Sequence, residues 1–257
     1  MTPARRATGP AVPGPAAVPA TTGPEPARRR RGTDGGHSPA PADRLPGTVD
    51  GPPGRIEVSP GPTRPREPEF RRPDRAELAA AADRTIPDVI DQGLTVLFVG
   101  INPGLWSAAT GWHFARPGNR FWPALHRGGF TPRQLHPSEQ HTLPGYGLGI
   151  TNMVARASAR ADELTPAELV TGARTLTDKV ALYRPTWVAV VGVTAYRIGF
   201  ARPKAGFGRQ PEPLAGARLW VLPNPSGLNA HFTPQTLGAA FGALRAAVVG
   251  DPPPAVG

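Results

Sequence analysis

The sequence has no cysteine, which excludes disulfides, thiolate zinc sites and thiol nucleophiles together and fits a reducing compartment. Lysine is almost as scarce: Lys179 and Lys204 are the only two, and the other 27 basic residues are Arg. No apolar run approaches the roughly 20 residues of a membrane-spanning helix, and prolines interrupt the N-terminus wherever the apolar centre of a signal peptide would stand. A Gly-x-Gly-x-x-Gly turn and a Walker lysine are also missing, which disfavours dinucleotides and nucleoside triphosphates as ligands. The six histidines (37, 113, 126, 136, 141 and 231) show no metal-ligand spacing backed by acids, so neither a metal nor another cofactor is expected. No carboxylate stands at the Asn102-Pro103 or Asn224-Pro225 turn, which argues against paired-carboxylate glycosidase chemistry.

What is abundant is unevenly spread. Of the 35 prolines, 17 fall in residues 1–75, where Phe70 is the only aromatic. Such a segment cannot bury enough apolar surface to offset its ordering entropy, so residues 1–73 are expected to be a disordered tail. Residues 74–249 have the length of one ordinary domain, and 250–257 read as a frayed end. The net charge of +10 divides evenly, with 13 Arg against 8 acids in residues 1–75. Arg28 to Arg31 form the densest cluster, which suits a polyanionic partner; the alternative is compositional drift in a chain rich in Arg, Ala, Pro and Gly.

Within the domain, strands and helices alternate. Thr95–Val99 is a continuous β-forming run that reads as a strand buried on both faces. Leu148–Val154, Trp187–Gly192 and Leu219–Leu222 are the other strands. Asp74 opens an Ala-rich helix, Asn119 caps a helix to about Arg127, and Thr165-Pro166-Ala167-Glu168 is a capping box for a helix to Tyr183. Thr194–Phe200 and a segment opened by Thr233-Pro234 are the remaining helices, and Leu105–Gly118 is read as a long aromatic loop. The pattern predicts an α/β three-layer sandwich around a central, mostly parallel four-stranded sheet. Two strands end in Asn-Pro turns, at Asn102 and Asn224. Each alone is only a turn, but in a parallel sheet both would face the crevice beyond the strand ends.

Gly100-Ile101-Asn102-Pro103-Gly104, Asn119-Arg120-Phe121-Trp122, Thr151-Asn152-Met153-Val154 and Asn224-Pro225-Ser226-Gly227-Leu228 stand in a characteristic order and spacing. Over residues 92–248 the chain resembles the mismatch-specific uracil/thymine DNA glycosylases of the uracil-DNA glycosylase superfamily. The resemblance implies an enzyme of base excision repair that flips a nucleotide out of the duplex and hydrolyses its N-glycosidic bond. Asn102 matches the position that holds the attacking water. An amide is no effective general base, so the water is oriented rather than deprotonated early, and the departing base leaves as a stabilised anion. Backbone groups around Ile101 and Phe114 meet the base edge, and Phe114 matches the aromatic that stacks on the base, its alternative being core packing. Ser107 and Asn152 bear on substrate range: some bacterial relatives carry Lys where this chain has Asn152, whereas the thymine-acting animal enzymes resemble it in Thr-Asn-Met-Val.

Gly227-Leu228-Asn229 resembles the intercalating loop, with Leu228 filling the hole left by the extruded nucleotide or else anchoring the loop. Relatives often carry an Arg shortly after this Leu, and here Asn229-Ala230-His231 stands instead. Asn224, Ser226 and His231 are candidate DNA contacts. The resemblance implies uracil opposite guanine as first substrate, ethenocytosine tolerated and thymine weak. It also implies double-stranded DNA as partner, no membrane, a monomer and a cytoplasmic, nucleoid-associated location. Two other readings stay open: a mismatch- or abasic-DNA-binding module on the same fold, and an enzyme of free nucleosides. For the tail, deletion of residues 1–70 is expected to weaken duplex binding and flatten its dependence on salt while leaving single-turnover cleavage intact. An unchanged salt slope in a binding titration would retire that role.

Overall fold

The computed structural model describes residues 72–227 and 231–251. The expectations for the tail, for Leu228 and Asn229 and for the last six residues lie outside these. The sheet has five strands: β1 (Val96–Gly100), β2 (Leu148–Asn152), β3 (Trp187–Val191), β4 (Gly208–Arg209) and β5 (Arg218–Leu222), in the order β2-β1-β3-β5-β4. The four longer strands are parallel, and β4 pairs antiparallel with β5 at one edge. The sequence pattern predicts four strands; β4 is only two residues long, too short to leave a periodic signal.

Helices cover both faces because the strands are apolar on both. On β1, Val96 and Phe98 turn towards α3 (Phe121–Arg127) and α6 (Pro234–Gly250), while Leu97 and Val99 turn towards α4 (Pro166–Tyr183) and α5 (Val193–Gly199). Phe98 organises the first layer, meeting Phe121 edge-on at 5.5 Å and stacking on Phe241 at 5.7 Å. Leu169, Leu176 and Val180 recur along α4 and fill the second layer. The Thr165 capping box forms as read, and the Asp74 cap proves to be a capping box as well. Glu168 N donates to Thr165 Oγ1, and Glu77 N donates to the Asp74 carboxylate at the start of α1 (Arg75–Ala80).

One segment differs from its sequence reading. Leu105–Gly118 is not loop throughout, because Leu105–Thr110 is a helix, α2, entered from extended Gly104 and closed by left-handed Gly111. A six-residue helix shows too little periodicity to be read, and this one is held by packing of Ala108 against Ala81 and Ala157. The connection between α3 and β2 contains a 3-10 segment, Pro137–Tyr146.

Layer spacing on the α4 side depends on a glycine. A methyl group at Gly172 would stand 2.3 Å from Met153 O, so the helix approaches the end of β2 more closely than any side chain permits. Gly→Ala in a helix interior ordinarily stabilises by about 1 kcal/mol. Gly172→Ala is expected to reverse that sign and destabilise by about 1–3 kcal/mol, measured as a lower denaturation midpoint in urea.

Candidate active site

The parallel strands end on one side of the sheet, and their C-terminal turns surround a cavity of about 360 Å³. Ile101 and Asn102 follow β1, Asn152 ends β2, Val191 ends β3, and Asn224 and Ser226 follow β5. Ser107 from α2 and Phe114 complete the wall. Seven residues singled out from the sequence therefore share one cavity: Ile101, Asn102, Ser107, Phe114, Asn152, Asn224 and Ser226. Gly227 is exposed at the end of a described stretch. His231 lies instead on an adjoining groove of about 600 Å³, which shares Ile101, Asn224 and Ser226 with the cavity and adds Phe207 and Phe232.

The Asn102 side chain has a defined sense. Its Nδ2 donates to Arg156 O at 3.0 Å and to Ser158 Oγ at 2.8 Å. A carbonyl can only accept, and Ser158 donates its own hydroxyl hydrogen to Arg160 O at 2.7 Å, so it too accepts from the amide. Both amide hydrogens are thus engaged, and the carboxamide oxygen is the group left to accept a hydrogen bond at the cavity wall. The loop supplying those acceptors is itself stitched to the Asn102 turn. Met153 N donates to Gly100 O, Val154 N to Ile101 O and Ser158 N to Pro103 O, which prolongs the β1–β2 pairing past the strands. Arg156 fastens the loop to α4, its Nε donating to Glu168 at 2.5 Å.

Phe114 has φ of 53°, in the left-handed region that a bulky residue rarely adopts. Its ring stacks on Phe121 at 4.0 Å and 14°, which covers one face, and the residue lines the cavity. Ser107 is buried and its Oγ accepts from Ala115 N at 3.3 Å, tying α2 to the segment just past Phe114. The Asn224 side chain accepts from Ser226 N at 3.0 Å, which makes the second Asn-Pro turn an Asx turn. The Arg120 guanidinium donates to Ser226 O at 2.5 Å and also to Phe232 O, while Arg120 N donates to Pro225 O. It therefore grips both sides of the segment that follows β5.

Several wall residues escape the sequence reading. Ser158, Arg160 and Asp162 lie more than 50 positions from Asn102, and only the course of the chain after β2 brings them to it. Asp162, far in sequence from either Asn-Pro turn, is the one carboxylate lining the cavity among the described residues, and Arg160 holds it in an ion pair. Lys179 stands on α4, outside the four sequence blocks. Its ammonium reaches Thr151 Oγ1 at 2.7 Å, one residue from Asn152, and is paired with Asp88. It does not line the cavity. Among the described residues no group of His, Asp and Glu could hold a metal ion.

The family model described as the Uracil DNA glycosylase superfamily matches residues 87–245, a span that includes every wall residue named above. Among solved structures, the chain is similar to a candidate uracil DNA glycosylase from Methanosarcina acetivorans, determined by solution NMR. The two are 19% identical, with 63% of this chain and 98% of that one covered and a TM-score of 0.42.

The buttress of Asn102 carries its own pH dependence. The Arg156 guanidinium, with help from Thr165 N, holds the Glu168 carboxyl down at about 2, well below its ordinary 4.5. Its stabilisation is complete above pH 4.5 and is lost as pH falls towards 2, because the unfolded chain takes up the proton first. Thermal melts of the wild type are expected to lose midpoint steadily across that window, and Glu168→Gln is expected to flatten the loss.

Proposed function

The chain belongs to the uracil DNA glycosylase superfamily, and from that premise we propose that it is a monofunctional DNA glycosylase acting on uracil mispaired with guanine in double-stranded DNA. Members of the superfamily are DNA glycosylases, hydrolases of N-glycosidic bonds. The observation that carries the reading is the fixed sense of Asn102 at the cavity wall, with both amide hydrogens held by Arg156 O and Ser158 Oγ.

In this reading a water molecule donates a hydrogen bond to the Asn102 carboxamide oxygen and is thereby aimed at the anomeric carbon of an extruded nucleotide. The amide takes no proton, so bond breaking runs ahead of attack and the sugar acquires oxocarbenium character. The base stacks on Phe114 and leaves as an anion, stabilised by hydrogen-bond donors of the wall. Asp162 is given no part in this reading: its carboxylate is exposed and paired with Arg160. Lys179 forms no Schiff base, because it lies outside the cavity and is bonded to Asp88 and Thr151, so strand cleavage does not follow base removal. The mismatch-specific subfamily, and with it the preference for uracil opposite guanine and tolerance of ethenocytosine, rests on the four sequence blocks. Leu228 would fill the vacated stack and the neighbouring loop backbone would meet the widowed guanine.

Asn102→Ala is expected to lower single-turnover excision from a G:U duplex by about 100-fold or more, since misplacing a reactant by about 1 Å already has that effect. Duplex affinity should change little, because phosphate contacts dominate it. Asp162→Asn should retain excision within a few-fold. A duplex that is bound but not cut by the wild type would instead support a binding module.

A further inference from the structure

His113 is 2% exposed and immobilised from three directions. Its N–H donates to Gln140 Oε1 at 2.7 Å, its carbonyl accepts from Trp122 Nε1 at 3.1 Å, and its ring Nε2 lies 3.0 Å from Pro87 O. Burial pushes the imidazole below its usual range and so keeps it neutral, with a single ring proton. The charged groups nearest the ring, Asp88 and Lys179, are paired with each other. A backbone carbonyl accepts only, so that ring proton sits on Nε2, and Nδ1 carries a lone pair. Nδ1 lies 3.4 Å from Asn152 Nδ2, and a lone pair there can be met only by the nitrogen of the carboxamide, never by its oxygen.

The oxygen is thereby turned the other way. A methyl group built on Gly100 would stand 2.5 Å from Asn152 Oδ1 and 3.3 Å from the Phe114 ring, so the amide oxygen and the ring edge meet above that bare Cα. A base stacked on Phe114 would bring its edge to the same oxygen. We propose that His113 is a positioning residue that fixes the sense of the Asn152 carboxamide, and so selects bases whose edge offers an N–H, as the imide of uracil does, over bases whose edge offers only lone pairs. The inference rests on the glycosylase reading and adds to it a device for choosing among bases. No base-contacting role for the imidazole is required, since it acts through Asn152.

The test compares single-turnover excision of uracil and of ethenocytosine, each opposite guanine in one duplex, by the full chain and two variants. Ethenocytosine has no hydrogen on its N3 or N4. His113→Phe keeps a ring but cannot accept from Asn152, and the uracil-to-ethenocytosine ratio is expected to shrink about five- to tenfold, the worth of one hydrogen bond. His113→Asn, whose Oδ1 falls near the position of Nδ1, should hold the ratio within about twofold of wild type. Equal loss of both rates with an unchanged ratio in His113→Phe would overturn the proposal and leave His113 a packing residue. If thermal melts show that the variants do not fold, the 15N resonances of His113 in the wild type decide: a proton on Nε2 supports the proposal, and one on Nδ1 overturns it. A wild type that cuts neither duplex would count against the glycosylase reading itself, and the tautomer measurement would still test His113.

Discussion

Everything at the cavity follows from two strands refusing to part where their strand geometry ends. β1 and β2 run parallel, and the hydrogen bonding continues through Gly100 O and Ile101 O to Pro103 O, so the loop after β2 is laid alongside the Asn102 turn. That loop presents Arg156 O and Ser158 Oγ as acceptors at the place where the carboxamide needs them. A neutral side chain is oriented by hydrogen bonds alone, and it keeps its orientation only as long as both acceptors stay in place. The Arg156–Glu168 pair, rooted in the capping box of α4, ties that loop to the longest helix among the described residues.

The inner wall is built from neutral dipoles, and charges are kept paired or at the rim. Lys179 and Asp88 neutralise each other behind Thr151, and Arg160 holds Asp162 at the cavity edge. His113 is kept neutral by burial. In the proposed reaction the charge that develops is a departing anion, and an unpaired carboxylate beside it would oppose its formation. A wall of amides, hydroxyls and backbone groups fixed in advance stabilises such charge without having to reorganise. Phe114 belongs to the same logic, since its left-handed backbone is held by a ring stacked on Phe121 and by the Ser107–Ala115 hydrogen bond.

Much of the architecture was legible because its signals are local. The strands of the parallel sheet are continuous apolar runs, the helix starts carry Asp74, Thr165 and Thr233 as caps, and the alternation of the two element types leaves few arrangements. Elements that depend on distant packing left no such trace. α2 is one and a half turns resting on Ala81 and Ala157, and β4 is two residues borrowed from a loop by β5. The site divides the same way. Asn102, Asn152 and Asn224 could be read because they terminate strands, whereas Ser158, Asp162 and His113 sit in connections between the main elements, where their neighbours in space are remote in sequence.

By itself the sequence determined which side chains stand at the ends of parallel strands, and therefore that two Asn-Pro turns and an aromatic segment would face one crevice. It also excluded thiol chemistry by composition alone. Only the tertiary structure decided which atom of each carboxamide faces inward. That choice depends on whether a donor or an acceptor lies opposite, and the acceptors for Asn102 and Asn152 come from residues 56 and 39 positions away. Chain order carries the identity of a side chain, but the hydrogen-bond partners that give it a direction exist only after the layers have closed.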